Sequence, residues 1–331
     1  MKLSVILAAL AGLAGAGYLI AFVGFDAIWH AVEHVGWTGF GALCVFALAN
    51  FMLLGTAWYL IVPPHRARRL VTFVWGRAVR DSAGDVLPFS QLGGMLIGAR
   101  AASLRGLPIA NALATMAVDV TLEMVAQICF IIGGILILVI TLPLNGRQLD
   151  ILEATAVAIA LGVLGAGGFI VAQRRGFDVL ERIATRFLPK AAPYAGDIHR
   201  LIGQVHAQPR RMVASFCIHF AGWVGTALFT WLALRLMGWH VVLADALGIE
   251  GLMCALRSAA VFVPNAIGVQ EAGYAVLMPL FGVPAQIGVA LSLLRRAQQI
   301  ADGAPILLGW QLSEGSFAAR LRAERQAKVQ G

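Results

Sequence analysis

Long apolar runs alternate with short polar stretches along the whole chain. The first run, Leu3 to Val23, follows Lys2 directly. Its continuation through Tyr18 to Val23 makes it too long for the apolar part of a cleaved signal peptide, so it predicts an uncleaved first helix. A second run from about Trp37 to Val62 stops at Pro63-Pro64, which cannot continue a helix. Further runs cover about Leu107 to Leu142, Leu152 to Val171, Met212 to Met237 and Pro284 to Trp310. Each provides the roughly 20 apolar residues that a ~30 Å hydrocarbon core requires. The pattern therefore predicts an all-α integral membrane protein with six full transmembrane helices.

Two stretches of about 72–105 and 243–281 are apolar enough to enter a membrane but too polar and too interrupted to span it simply. The first contains Arg77, Arg80, Asp81, Asp85 and Arg100, and is broken at Pro88 and Gly93-Gly94. The second carries Glu250, Arg257 and Glu271, and is broken at Pro264, Asn265 and Gly268. Each reads as a re-entrant hairpin, a short helix in and a short helix out. Non-helical backbone at membrane depth requires protein or a wet cavity to satisfy its polar groups. One hairpin would enter from each side of the membrane, the signature of an inverted-topology repeat with a central substrate site. The predicted organisation is a first helix and outer loop (1–35), repeat one (36–141), a fourth helix with a cytoplasmic amphipathic linker (142–210), repeat two (211–311) and a basic tail (312–331).

Charge orients this arrangement. Of the 25 Lys+Arg residues, 16 fall at Lys2, Arg66 to Arg69, Arg174 to Arg211 and Arg320 to Lys328. These loops all lie on one side, so the positive-inside bias puts both termini in the cytoplasm. His30, His34 and His240 lie beside Trp29, Trp37 and Trp239 at the opposite interface, as an aromatic belt would.

Composition sharpens the class. Hydrophobic residues make up 60% of the 331 residues and charged ones 13%, with a mean hydropathy of +0.82. A soluble domain carries roughly 25% charged residues, which excludes a soluble enzyme. The net charge of +8 reflects topology rather than nucleic-acid binding. Cys44, Cys129, Cys217 and Cys254 lie in apolar runs without metal-ligand spacing and read as small core residues. No HExxH, GxSxG or P-loop is present, so neither catalysis, a metal nor a cofactor is expected.

The candidate chemistry lies inside the membrane. Asp119 and Glu123 are four residues apart near the middle of the third span, and so share a helix face. Arg295 and Arg296 lie near the middle of the sixth. An ionised side chain at the bilayer centre costs on the order of 3 kcal/mol, so these groups must pair or face a polar cavity. The simplest arrangement sets Asp119 and Glu123 against Arg295 or Arg296, with only one of the adjacent arginines facing inward. Such a cluster either locks the helices or, with the hairpin charges, receives a lipid headgroup. His219, in the fifth span, reads as packed rather than metal-binding.

Leu87-Pro88 followed by Gly93-Gly94 and Arg100, then Phe262-Val263-Pro264, Gly268, Glu271 and Arg296, resembles the flippase-like membrane domain of lysylphosphatidylglycerol synthases. The run Asp85 to Gly94 is most similar to a subgroup of membrane proteins associated with hopanoid biosynthesis. The resemblance covers about residues 36–311. It departs in keeping only Gly268 of the second motif's glycines and in carrying Asp119 and Glu123 where the family has an arginine. The resemblance implies an inner-membrane lipid flippase for a hopanoid or modified phospholipid, partnered by membrane lipids and by hopanoid-synthesis or lipid-modifying enzymes. No soluble aminoacyltransferase domain follows the membrane body, so lipid movement rather than aminoacylation is expected. The alternatives are a scaffold for hopanoid-synthesis enzymes and an enzyme using Asp85 and Asp119 on a lipid headgroup.

Overall fold

The computed structural model describes residues 25–63, 69–86, 91–141, 200–260 and 263–330, and every regular element among them is helical. The predicted spans Leu3 to Val23 and Leu152 to Val171, and most of the predicted amphipathic linker, lie outside the described residues.

The first described helix, α1 (Phe25–Ile61), bends at Gly36, whose φ of 60° suits a residue without Cβ. Two short helices follow, α2 (Leu70–Val86) and α3 (Gln91–Ser103), and then the long α4 (Ile109–Thr141). The second half repeats the order. A long helix, α5 (Pro209–Leu236), begins with a proline, which costs nothing in a first turn where the N–H has no partner. It is followed by α6 (Leu243–Ala259), a 3₁₀ turn at Pro264–Ala266 and α7 (Val269–Leu277). A second 3₁₀ turn (Met278–Phe281) ends at Gly282 in the left-handed region and leads into α8 (Ala285–Gln330). The residues predicted as a separate basic tail thus continue the last helix without a break.

The halves interlock. α1 packs on α5, α2 of the first hairpin lies on α8, and α6 of the second lies on α4. One apolar core, with Trp58, Phe73, Leu107 and Met116 buried, ties α1, α2 and α4 together. Another, with Leu43, Leu234, Met253, Tyr274 and Leu291 buried, joins α1 and α5 to α6, α7 and α8.

Among the described residues, three helices, over Glu33–Ile61, Ile109–Ile140 and Pro209–Leu236, are long and apolar enough to cross a membrane. Met52, Leu136, Ile140 and Val213 on them are exposed, an outward apolar surface that suits lipid. The helix α8 is long enough, but Arg295, Arg296 and Asp302 make it more polar than the other three.

Candidate functional site

Arg77, Arg80 and Asp81 are three and four residues apart on α2, so they project from one face. Asp119 and Glu123 project from one face of α4. The structure brings these two faces together. Arg77 donates through Nε to Asp81 Oδ2 at 2.7 Å and through Nη1 to Glu123 Oε2 at 3.0 Å. Arg80 Nη2 donates to the same Glu123 oxygen at 2.8 Å. Asp119, fully buried, has Oδ2 at 3.4 Å from Arg77 Nη1, and its Oδ1 lies 2.9 Å from His219 Nε2 on α5. The expected pairing of Asp119 and Glu123 with Arg295 or Arg296 is therefore incorrect. The hairpin arm α2 packs closely enough to present its own arginines first, and helical periodicity places charges on a face without saying which helix faces it.

A second cluster is built from α5 to α8. Glu250 is fully buried on α6, and its Oε1 accepts from the Thr230 hydroxyl at 2.6 Å, from the Tyr274 hydroxyl and from Arg295 Nη2 at 3.2 Å. Its Oε2 accepts from Arg257 Nη2 at 3.3 Å. Arg295 also lies over the Phe229 ring, 4.9 Å from its centroid. Glu271, one turn into α7, accepts from Arg296 Nε at 2.5 Å and from the Gly268 N–H at 2.7 Å. Gly268 holds φ 82° at this cap, a conformation glycine adopts without strain. Both adjacent arginines thus face inward, each to its own carboxylate. The expectation that only one would do so fails because Arg295 reaches Glu250 on α6 and Thr230 on α5, while Arg296 reaches Glu271 on α7.

The two clusters meet where the hairpins meet. Asn265, in the 3₁₀ turn with φ 48°, donates from Nδ2 to the Asp85 carbonyl at 2.5 Å. Arg296 Nη2 donates to the Asn265 carbonyl at 3.3 Å, so a chain of polar contacts runs from α2 to α8. The Asp85 carboxyl interacts electrostatically with Asp81 on its own helix and with Arg257, Arg295 and Arg296 across the gap.

The remaining sequence candidates divide. Pro264 opens the 3₁₀ turn, while Pro88 lies outside the described residues. Gly93 and Gly94 are inside α3 and do not break the hairpin. A Cβ on Gly94 would come 2.7 Å from the Arg80 carbonyl oxygen, so this glycine lets the two arms approach. Arg100 is apart from both clusters. It pairs with Glu314 at 2.7 Å and stacks over the Phe317 ring on α8.

Sequence reasoning named Glu250 only as a charge of the second hairpin and His219 only as a packed residue, and it left out Thr230 and Tyr274. Glu250 and His219 carried a usable signal, since each is an ionisable residue in an apolar helix, the feature that singled out Asp119. Thr230 and Tyr274 carried none, being ordinary in such helices.

Residues 5–307 match the family model described as the lysylphosphatidylglycerol synthase TM region. Neither the curated proteins nor the solved structures yield a match.

Proposed function

The chain belongs to the family of the lysylphosphatidylglycerol synthase transmembrane region, a membrane protein acting on lipids, and from that premise we propose that it moves a polar lipid between leaflets. The observation that carries this reading is the contact between the hairpin tips, Asn265 to the Asp85 carbonyl. It links two buried charge clusters into one polar track through an apolar body. A headgroup crossing a bilayer needs polar partners along its route while its tails stay in lipid. The arginines supply donors for a phosphate or carboxylate, and the carboxylates supply acceptors for an amine.

In this reading the chain is a non-enzymatic transporter of the bacterial inner membrane, with six spanning helices and both termini in the cytoplasm. The pairs α2–α3 and α6–α7 are re-entrant hairpins of an inverted repeat. The repeated order of long helix, two short helices and long helix supports the repeat. The cargo is a hopanoid or a modified phospholipid, delivered by lipid-modifying or hopanoid-synthesis enzymes.

The test is headgroup accessibility in proteoliposomes. Fluorescent phosphatidylglycerol, phosphatidylethanolamine and an amino-bearing hopanoid are compared for wild type, Glu271→Ala and Arg296→Ala. Wild type is expected to expose inner-leaflet lipid to an external quencher at least tenfold faster than empty vesicles, and both folded variants are expected to lose that gain. Equal rates for wild type and empty vesicles with every lipid overturn the proposal.

A further inference from the structure

The two clusters contain unequal numbers of charges. The positive groups are Arg77, Arg80, Arg257, Arg295 and Arg296, each within 4.0 Å of a carboxylate. The negative groups are Asp81, Asp119 and Glu123 in the first cluster and Glu250 and Glu271 in the second, with Asp85 between them. Five arginines therefore face six carboxylates among the described residues. Arginine does not deprotonate in proteins. The buried set is neutral only when it holds one further proton, and leaving a buried charge uncompensated is expensive.

The geometry indicates where that proton resides. His219 is fully buried on α5, its Nε2 against Asp119 and its Nδ1 without a hydrogen-bond partner. Ser215, one turn earlier on the same helix, is also fully buried with an unpartnered hydroxyl. Arg80 Nε and Nη1 make no hydrogen bond either, and lie 3.8 Å from Asp81 and 3.7 Å from Asp119. Buried polar atoms in native structures nearly always find partners. The Nδ1 of a ring already held against the Asp119 carboxylate is where this set can take up a further proton.

Among the described residues, the charged groups around His219 come from the helices that pack near α5. From α4 they are Asp119 and Glu123, and behind these Arg77, Arg80 and Asp81 from α2. From α6 and α8 they are Glu250 and Arg295, which reach α5 further along at Thr230 and Thr226, with Arg257 held on Glu250. The α1 face against α5 presents Asn50, which a Cβ on Gly225 would meet at 3.1 Å. Asp302 lies elsewhere on α8, held by Gln298 and beside Cys44.

We propose that the His219–Asp119 pair is a proton-binding site whose occupancy is coupled to lipid movement, one proton per headgroup. The step adds a proton to the imidazole Nδ1, giving an imidazolium whose Nε2–H donates to the Asp119 carboxylate. Release returns the neutral ring, and no bond other than N–H forms or breaks. An anionic headgroup entering among the arginines adds a further negative charge and strengthens the set's hold on that proton, so the two travel together. This inference rests on the transport reading above.

One experiment separates the two. Proteoliposomes containing wild-type protein and fluorescent phosphatidylglycerol are given a transmembrane gradient of one pH unit, clamped for the length of the assay, and the leaflet distribution is followed to steady state. With one proton per lipid, a one-unit gradient sustains up to a tenfold leaflet asymmetry. We expect wild type to approach that ratio and to reverse it when the gradient is reversed. Equilibration to equal leaflets under the gradient overturns the coupling and leaves transport standing. No movement beyond that of empty vesicles overturns both. His219→Gln and Asp119→Asn are each expected to lose the leaflet asymmetry under the gradient, and asymmetry retained in either folded variant overturns the assignment to this pair. If neither variant folds, the wild-type arms decide alone.

Discussion

At the residue scale, the decisive contrast is between buried and open ion pairs. Glu250 is fully buried and is shared by Arg295, Thr230 and Tyr274. Removing one partner of a buried pair leaves the other charge stranded at a cost of roughly 3–5 kcal/mol. Glu250→Ala should therefore lower the thermal unfolding midpoint sharply in a fixed detergent. The Arg100 and Glu314 side chains are 39% and 38% exposed, and pairs open to solvent contribute about 1 kcal/mol or less. Arg100→Ala should leave the midpoint within a degree or two of wild type. Comparable losses in both variants would mean that the Glu250 cluster does not hold the fold. Single residues were partly legible in the sequence. An isolated charge in an apolar run announces itself, which identified Asp119, Arg295 and Arg296. Thr230 and Tyr274 are unremarkable anywhere in the chain and acquire a role only by ending beside Glu250.

At the element scale, the contact between α4 and α6 depends on two glycines. A Cβ on Gly134 would meet the Gly251 Cα at 2.8 Å, whereas a Cβ on the adjacent Gly133 would meet nothing within 4 Å. Both are mid-helix, where alanine is favoured over glycine by about 1 kcal/mol. Gly133→Ala should raise the unfolding midpoint, or leave it unchanged. Gly134→Ala must push two backbones apart, and overpacking of this kind costs roughly 1–3 kcal/mol, so its midpoint should fall. Midpoints that move together would show that α4 and α6 have room to spare. Hydrophobic run length made α4 and α5 legible to within a few residues, and α1 only from its bend at Gly36 onward, because each presents an apolar surface that only lipid or a core can cover. The helix ends and the role of Gly93-Gly94 were not legible, since a glycine pair reads the same whether it breaks a helix or lets another backbone approach.

At the scale of the whole molecule, partner choice was the least legible property. Spacing placed Asp119 with Glu123 and Arg77 with Arg80 on common faces, but which faces meet depends on how the two halves interlock. That interlocking puts α2 on α8 and α6 on α4, and it leaves the hairpin tips in contact at Asn265 and Asp85. If a headgroup passes between the clusters, as proposed, the tips must separate once per cycle, because the polar track narrows to that contact. Cysteines introduced by Asp85→Cys and Asn265→Cys, with Cys44, Cys129, Cys217 and Cys254 replaced by alanine, would tie the tips together on oxidation. Lipid movement in proteoliposomes is expected to stop when the crosslink forms and to return when it is reduced, with the uncrosslinked double variant as the reference rate. Movement that continues at the reference rate with the tips tied would mean that the lipid takes a route outside this contact. The charge clusters would then hold the two halves together rather than guide the cargo.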